Sequence, residues 1–210
     1  MRIGIIGAGN VGGALGTGWA KAGHEVIWGV RDPRDPKHES LVLGTRNGAL
    51  GTVTEAADAG EVLVLTTPWN ATRAALDTLG DVGGKPLLDA TNPLKPDLSG
   101  LDLPPGTSGG EQVQAWCPHA RVVKVFNTTG ADNMNNPAYP GGATTMLYCG
   151  DDPDAKKIAH QLSADLGFAP LDAGPLSRAL LLEDFALLWI TLAYGQNMGR
   201  DFAFRIERRQ

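Results

Sequence analysis

Residues 4–15 read "GIIGAGNVGGAL". The glycines follow "RIGII", a short β-branched run, and precede apolar Val11, Ala14, Leu15, Trp19 and Ala22, which recur at helical spacing. Gly23 is placed to cap that helix, and "HEVIWGV", residues 24–30, reads as a second buried strand. Gly7, Gly9 and Gly12 therefore form G-x-G-x-x-G inside a strand–turn–helix–strand unit. Alone, that pattern is weak in a chain with 28 glycines. In this setting each glycine has a task. Gly7 permits the tight turn, Gly9 lets a pyrophosphate approach the backbone, and Gly12 lets the helix pack closely on the strand. Ala8, Asn10 and Val11 complete a loop whose helix N-terminus offers unpaired N–H groups to phosphates. The competing reading is a glycine-rich turn that binds nothing.

The alternation continues along the chain. "TVTEAADAG" gives a short strand and a helical turn, "EVLVLTTP" a strand, "NATRAALDTLG" a helix and "KPLLDAT" a strand. "TSGGEQVQAWCP" reads as helical in its second half and "RVVKVFNT" as a strand; "TTMLYCG" and "FAPLDAG" flank the helix "DPDAKKIAHQLSADLG". Asp152 can cap that helix, with Pro153 at its first position and Asp154 favouring the dipole. A short helix is predicted within residues 38–47, and the tail from Pro175 to Arg208 reads as helical. Strands alternating with helices predict a doubly wound α/β fold with a mostly parallel sheet, here residues 1–174, and a small C-terminal helical extension, residues 175–210. Residues 94–110, "LKPDLSGLDLPPGTSGG", read as a long loop of the kind that borders active sites.

Composition narrows the function classes. The chain has 210 residues, 42% hydrophobic and 20% charged, with a net charge of −5, which argues against a broad nucleic-acid surface. Cys117 and Cys149 lie far apart and outside any C-x-x-C, so neither a metal motif nor a disulfide framework is readable; reduced thiols and a cytoplasmic setting are expected. The longest apolar run, Ala179 to Ala193, carries Glu183 and Asp184, which argues against a membrane span.

The end of the second strand addresses which dinucleotide binds. An NAD site calls for a carboxylate there; this strand runs into "GVRDP", with Arg31 directly after Val30. A guanidinium pairs with a 2′-phosphate and stacks on adenine. NADP is the preferred reading, with the small Gly29 leaving room. Asp32 holds open an NAD ribose contact, and Arg34 and Lys37 are either extra phosphate charge or a solvated loop.

Four strand ends carry small polar or ring residues, bringing Thr67, Pro68, Trp69, Thr91, Asn92, Asn127 and Thr128 to one rim, where ligands of such sheets sit. Pro68 and Trp69 could wall a nicotinamide, or Trp69 could cap the sheet. Asn92 and Asn127 can bond a flat ring or amide, or serve as turn residues. No lysine or tyrosine in these motifs is an obvious general acid. His24, His38, His119 and His160 read as structural or solvated, so no catalytic residue is assigned. Hydride transfer between two cofactors needs no protein acid.

Taken together, "MRIGIIGAGNVGGALG", "GHEVIWGVRDP", "VLTTPW", "NPLKP", "KVFNT" and "YCGDDPDAKK…LGFAPLDAGPLSRA" resemble the F420H2:NADP oxidoreductase family, over residues 1 to about 200. They are also similar to the N-terminal oxidoreductase domain of the STEAP metalloreductases. The resemblance implies a Rossmann domain binding NADP, a dimer, and the 2′-phosphate near Val30 and Arg31. It implies nicotinamide and deazaflavin contacts near Pro68, Trp69, Asn92, Pro93 and the segment Asn127, Thr128, Thr129, Gly130, Ala131. It also implies that the tail around Met198, from Asn197 to Arg200, closes the deazaflavin site. The chain departs from the archaeal enzymes at Val30, where they carry serine, and at Asn127, where they carry histidine. An oxidoreductase moving hydride between NADP(H) and F420, a flavin such as FMN or FAD, or a small acceptor is the preferred reading. The alternatives are an NADP(H) sensor without turnover and a keto or imine reductase.

Overall fold

The computed structural model describes residues 1–43 and 45–209. In chain order it contains β1 (Arg2–Ile6), α1 (Asn10–Lys21), β2 (Glu25–Val30), α2 (Glu39–Val42), β3 (Gly48–Thr52), α3 (Val53–Ala59), β4 (Val62–Leu65), α4 (Trp69–Asp77), β5 (Pro86–Asp89), α5 (Gly109–Trp116) and β6 (Arg121–Val125). There follow α6 (Ala131–Asn135), the hairpin strands β7 (Ala138–Tyr139) and β8 (Gly142–Ala143), β9 (Thr145–Gly150), α7 (Pro153–Asp165), β10 (Ala169–Asp172) and α8 (Ala179–Ile190). The helix predicted within 38–47 is the short α2, and Gly44 lies outside the described residues.

One eight-stranded sheet runs in the order β10-β9-β6-β5-β4-β1-β2-β3. From β3 to β6 every pairing is parallel, which reproduces the doubly wound order, with its switch point between β1 and β4. The simple alternation of strands and helices does not hold at the other edge. There β9 lies antiparallel to β6, and β10 is parallel to β9. The reason is local. Between β6 and β9 the chain makes only the five-residue α6 and a small hairpin, too little for a crossover, so β9 returns beside β6 in the opposite direction. The thirteen-residue α7 is long enough to cross over, which restores parallel pairing between β9 and β10.

Each face of the sheet carries its own core. One face packs Ile3, Ile5, Trp28, Val64, Leu88 and Val123 against α1, α6 and α7; the other packs Ile6, Leu63, Leu65, Leu87 and Val122 against α3, α4, α5 and α8. The continuous apolar strand "VLVL" and the buried valines of "RVVKV" follow from burial on both sides. The glycines of α1 allow close approach: a Cβ on Gly16 would lie 2.5 Å from the Trp28 ring, and Trp28 Nε1 donates to Gly12 O at 2.8 Å. Gly23, at φ +93°, ends α1 as predicted, with His24 N donating to Trp19 O and Gly23 N to Ala20 O. Asp152 caps α7 by accepting from Ala155 N at 2.8 Å.

The tail is not helical to Arg208. A π-turn, Thr191–Gly195, ends the helical part, and residues 201–209 are irregular. Phe202, Phe204 and Ile206 alternate, an extended rather than a helical period. Phe202 stacks on Trp189 with ring centres 5.1 Å apart, and Thr145 N donates to Phe204 O, so the segment lies along the start of β9. No helix among the described residues is long and apolar enough to cross a membrane.

Candidate dinucleotide site

The glycine turn joins the switch-point strand to α1. Gly7 has φ +110°, a left-handed conformation that only glycine adopts readily. Thr66 Oγ1 donates to Ile6 O and Gly7 O, which fastens the turn to the end of β4; the sequence reading passed Thr66 over. A Cβ on Gly12 would lie 2.4 Å from Gly7 O, so this glycine lets the helix sit on the turn. Gly9 differs: a Cβ there would meet nothing within 4 Å. Gly9 is the N-cap of α1 and offers no side-chain cap, so the first-turn N–H groups lack one. Ala8 and Val11 are half-buried and Asn10 is exposed beside them. An open space over an uncapped helix start suits a diphosphate.

At the end of β2, Val30 is buried and Arg31 is exposed. Among the described residues Arg31 makes no ion pair, whereas its basic neighbours are engaged: Arg34 pairs with Asp32 and Lys37 with Asp35. The Lys37 contacts hold the Asp35 carboxyl below its ordinary range. Asp32 Oδ1 also accepts from Arg34 N at 3.0 Å, which ties it to its own turn. The expectation that Gly29 leaves room for the cofactor is corrected. A Cβ there would meet Ala56 Cβ at 2.9 Å and Val53 Cα at 3.0 Å, so Gly29 makes room for α3.

Along the rim of β4, β5 and β6 the polar side chains mostly hold one another. Thr67 Oγ1 lies 2.9 Å from Thr72 Oγ1. Pro68 is exposed, and the Trp69 ring stacks on Trp116 at 5.2 Å, with Arg73 over Trp116. Thr91 is buried and gives both its N–H and its hydroxyl to Asp89 Oδ1. Asn92 Nδ2 donates to Asn127 O at 2.9 Å, and Asn127 Nδ2 donates to Asn92 Oδ1 at 3.0 Å. Pro93 is buried beside them. Thr128 is buried with its hydroxyl toward Met146 Sδ; Thr129 Oγ1 accepts from Asn133 Nδ2, and half-buried Ala131 opens α6. Met198 is exposed and its N–H goes to Leu192 O, with no hydrogen bond to Asn92, Asn127, Thr128 or Thr129. Its neighbour Arg200 pairs with Asp132 of α6 at 3.1 Å. His24 bonds Asp165 and His160 bonds Tyr148, both structural contacts.

Beneath the rim lies a charge cluster that the sequence reading did not single out. Asp89 and Lys124 are register partners on β5 and β6, and both are fully enclosed. Lys124 Nζ donates to Asp89 Oδ2, Glu183 Oε1 and Thr91 O at 2.8, 2.8 and 2.7 Å, which uses all three protons. Glu183 further accepts from Gly109 N and Gly110 N at the start of α5. Burial alone would push the Lys124 ammonium down, but the two carboxylates outweigh it and hold its pKa above the ordinary lysine value. An enclosed ammonium with every proton committed is not a proton donor to the rim. The sequence signals were a lysine inside the apolar run "VVKV" and an aspartate ending "PLLD". Burial pushes the Cys149 thiol, opposite Lys124 on β9, up to about 12.

Comparison with known proteins places this architecture. A family model described as NADP oxidoreductase, coenzyme F420-dependent, matches residues 2–93. The chain is 31% identical to the F420-dependent NADP reductase of Methanothermobacter thermautotrophicus, covering 98% of this chain and 94% of that protein. It is 29% identical to rat (Rattus norvegicus) metalloreductase STEAP3 over 89% of this chain, but spans only 36% of STEAP3's length. A crystal structure from Arthrobacter sp. FB24, titled as a candidate F420-dependent NADP-reductase, superposes with a TM-score of 0.89 at 31% identity, covering 99% of this chain and all of that one. With a relative above 30% identity matched nearly end to end, and a family model matching residues 2–93, the chain belongs to the F420-dependent NADP oxidoreductase family.

Proposed function

We propose that the protein binds NADP(H) across the carboxyl ends of β2, β1, β4, β5 and β6 and passes hydride between it and a planar ring acceptor, coenzyme F420 or a flavin. The observation that carries the NADP reading is the exposed Arg31 guanidinium, without an ion-pair partner among the described residues, directly after β2, the strand paired with β1, whose end leads into the uncapped α1. The open space over Gly9 fits a pyrophosphate, and the fold then runs the nicotinamide toward β4–β6. NADP(H), when bound, supplies the hydride chemistry. The chain's residues bind and orient: α1 holds the diphosphate, Arg31 neutralises the 2′-phosphate, and Asn92 with Asn127 frames the ring end. FMN, FAD and F420 are the acceptors to test; Thr128, Thr129 and the Met198 segment are the proposed border of that second ring.

The rim favours a cofactor-to-cofactor shuttle over a keto or imine reductase, because the side chains of Asn92, Asn127, Thr91 and Thr128 are neutral amides and hydroxyls while Lys124 is enclosed below them. The division into residues 1–174 and 175–210 and a homodimer belong to the same proposal; exposed Leu181, Leu188 and Tyr194 suit a contact between two copies. NADPH oxidation measured in parallel with F420, FMN, FAD and ferric chelates tests the proposal. Turnover with F420 or a flavin is expected. NADPH binding without turnover by any acceptor would make the protein a sensor.

A further inference from the structure

Thr66, the residue that follows β4, is bonded to the glycine turn through its backbone and its side chain. Its N–H donates to Ile6 O at 3.0 Å. Its hydroxyl donates to Ile6 O at 3.2 Å and to Gly7 O at 3.1 Å. Ile6 O already has the N–H, so the hydroxyl is needed at Gly7 O, which has no other donor among the described residues. On the other flank Gly7 N donates to Gly29 O at 3.1 Å, at the end of β2. Both polar groups of Gly7 are thus taken, one from the end of each strand that neighbours β1. The hydroxyl also fills the space that Gly12 leaves: a Cβ on Gly12 would lie 2.6 Å from Thr66 Oγ1.

These ties decide where the turn points. The Gly7–Ala8 peptide is trans, so the Gly7 carbonyl and the Ala8 N–H face opposite ways in one rigid plane. With the carbonyl on Thr66, the Ala8 N–H faces away from Thr66. Glycine has the widest backbone freedom of any residue, so nothing in Gly7 itself, at φ +110°, holds this orientation. Among the described residues no hydrogen bond takes up the N–H of Ala8, Gly9, Asn10 or Val11. These four donors follow directly on the fixed carbonyl, and the open space at Gly9 lies among them.

We infer that Thr66 is a positioning residue for pyrophosphate binding: its hydroxyl holds the Gly7 carbonyl back and so turns the N–H groups of Ala8 to Val11 toward a phosphate at the start of α1. The inference rests on the proposed NADP(H) site and adds to it a residue that does not itself touch the ligand. Valine has the shape of threonine, but its methyl groups donate nothing to Gly7 O. The freed carbonyl can then turn toward the phosphate and meet it oxygen to oxygen.

The test is equilibrium binding of two nucleotides to wild type, Thr66→Val and Thr66→Ser. 2′,5′-ADP would place its 5′-phosphate at the glycine turn; 2′-AMP has the same adenosine and 2′-phosphate but nothing there. Thr66→Val should bind 2′,5′-ADP about tenfold more weakly than wild type and 2′-AMP equally well. Thr66→Ser keeps the hydroxyl and should restore 2′,5′-ADP binding. Unchanged binding of 2′,5′-ADP by Thr66→Val overturns the inference. So does a parallel loss of both nucleotides, the mark of a residue that only supports the fold, and so does a serine variant as weak as the valine one. Circular dichroism reports folding; should Thr66→Val not fold, Thr66→Ala takes its place in the comparison. Failure of 2′-AMP to bind wild type counts against the Arg31 reading alone, and ADP against adenosine then makes the same comparison at the turn. Absence of any phosphate-dependent binding in wild type overturns both the inference and the site it rests on.

Discussion

Lys124 on β6 and Glu183 on α8 lie 2.8 Å apart with no exposure of either side chain, so one buried ion pair ties the central sheet to the C-terminal helix. The two carboxylates and one ammonium carry a net negative charge, which the N–H groups of Gly109 and Gly110 help to balance. Every proton and both carboxylates have partners, the condition under which such a cluster is tolerated in a core.

Lys124→Met should destabilise the fold by roughly 3–5 kcal/mol, because it leaves two enclosed carboxylates facing each other without a cation. Urea unfolding followed by circular dichroism measures this. A loss below about 1 kcal/mol, the scale of an exposed pair, would show that the cluster contributes little.

The same ammonium sets an alkaline limit. Its folded pKa is raised, so its contribution is fully present below the unfolded value of about 10.4 and is lost as pH rises through the folded value. Wild-type stability should therefore fall with rising pH above about 10.4 more steeply than that of the Lys124→Met variant. Parallel slopes for the two proteins in that range would contradict the assignment.

Arg31→Ala should weaken NADPH binding by about 1.5–3 kcal/mol, roughly ten- to hundredfold, and leave NADH binding nearly unchanged, since only the 2′-phosphate loses its charge-assisted bonds. Fluorescence titration of both nucleotides checks this. An unaltered preference would move the phosphate elsewhere.

Gly9→Val and Gly12→Val should separate binding from folding. Gly9 has φ −78° and open space at its Cβ position, so the variant should keep its melting temperature and lose NADPH binding. At Gly12 the added atom would lie 2.4 Å from a backbone oxygen, so that variant should lose about 1–3 kcal/mol of stability as well. Thermal melts and nucleotide titration of each variant provide the comparison.

Much of the fold was legible because its signals are local. The strand–glycine–helix unit at residues 2–21, the cap at Gly23 and the start of α7 at Asp152 each depend on residues close in sequence, and all appear in the structure as read. The tail was misread, and the direction of the edge strand β9 was not legible, for the opposite reason. Phe202 and Phe204 take extended backbone because they meet Trp189 and Thr145, and β9 reverses because the segment after β6 is too short to cross over.

The candidate site divides along the same line. Gly7, Gly9, Gly12 and Arg31 could be proposed from sequence, since a glycine turn and the charge after a strand are features of contiguous chain. Asn92 and Asn127 could be named as rim residues, but their mutual clasp spans 35 positions. Lys124, Asp89 and Glu183 lie on three separate elements. Backbone propensity and apolar period, which the sequence carries directly, determined the layered α/β fold and the glycine turn. Tertiary packing decided which polar atoms are buried together, because the cost of burying a charge or an amide depends on partners that only the folded chain brings within hydrogen-bond reach.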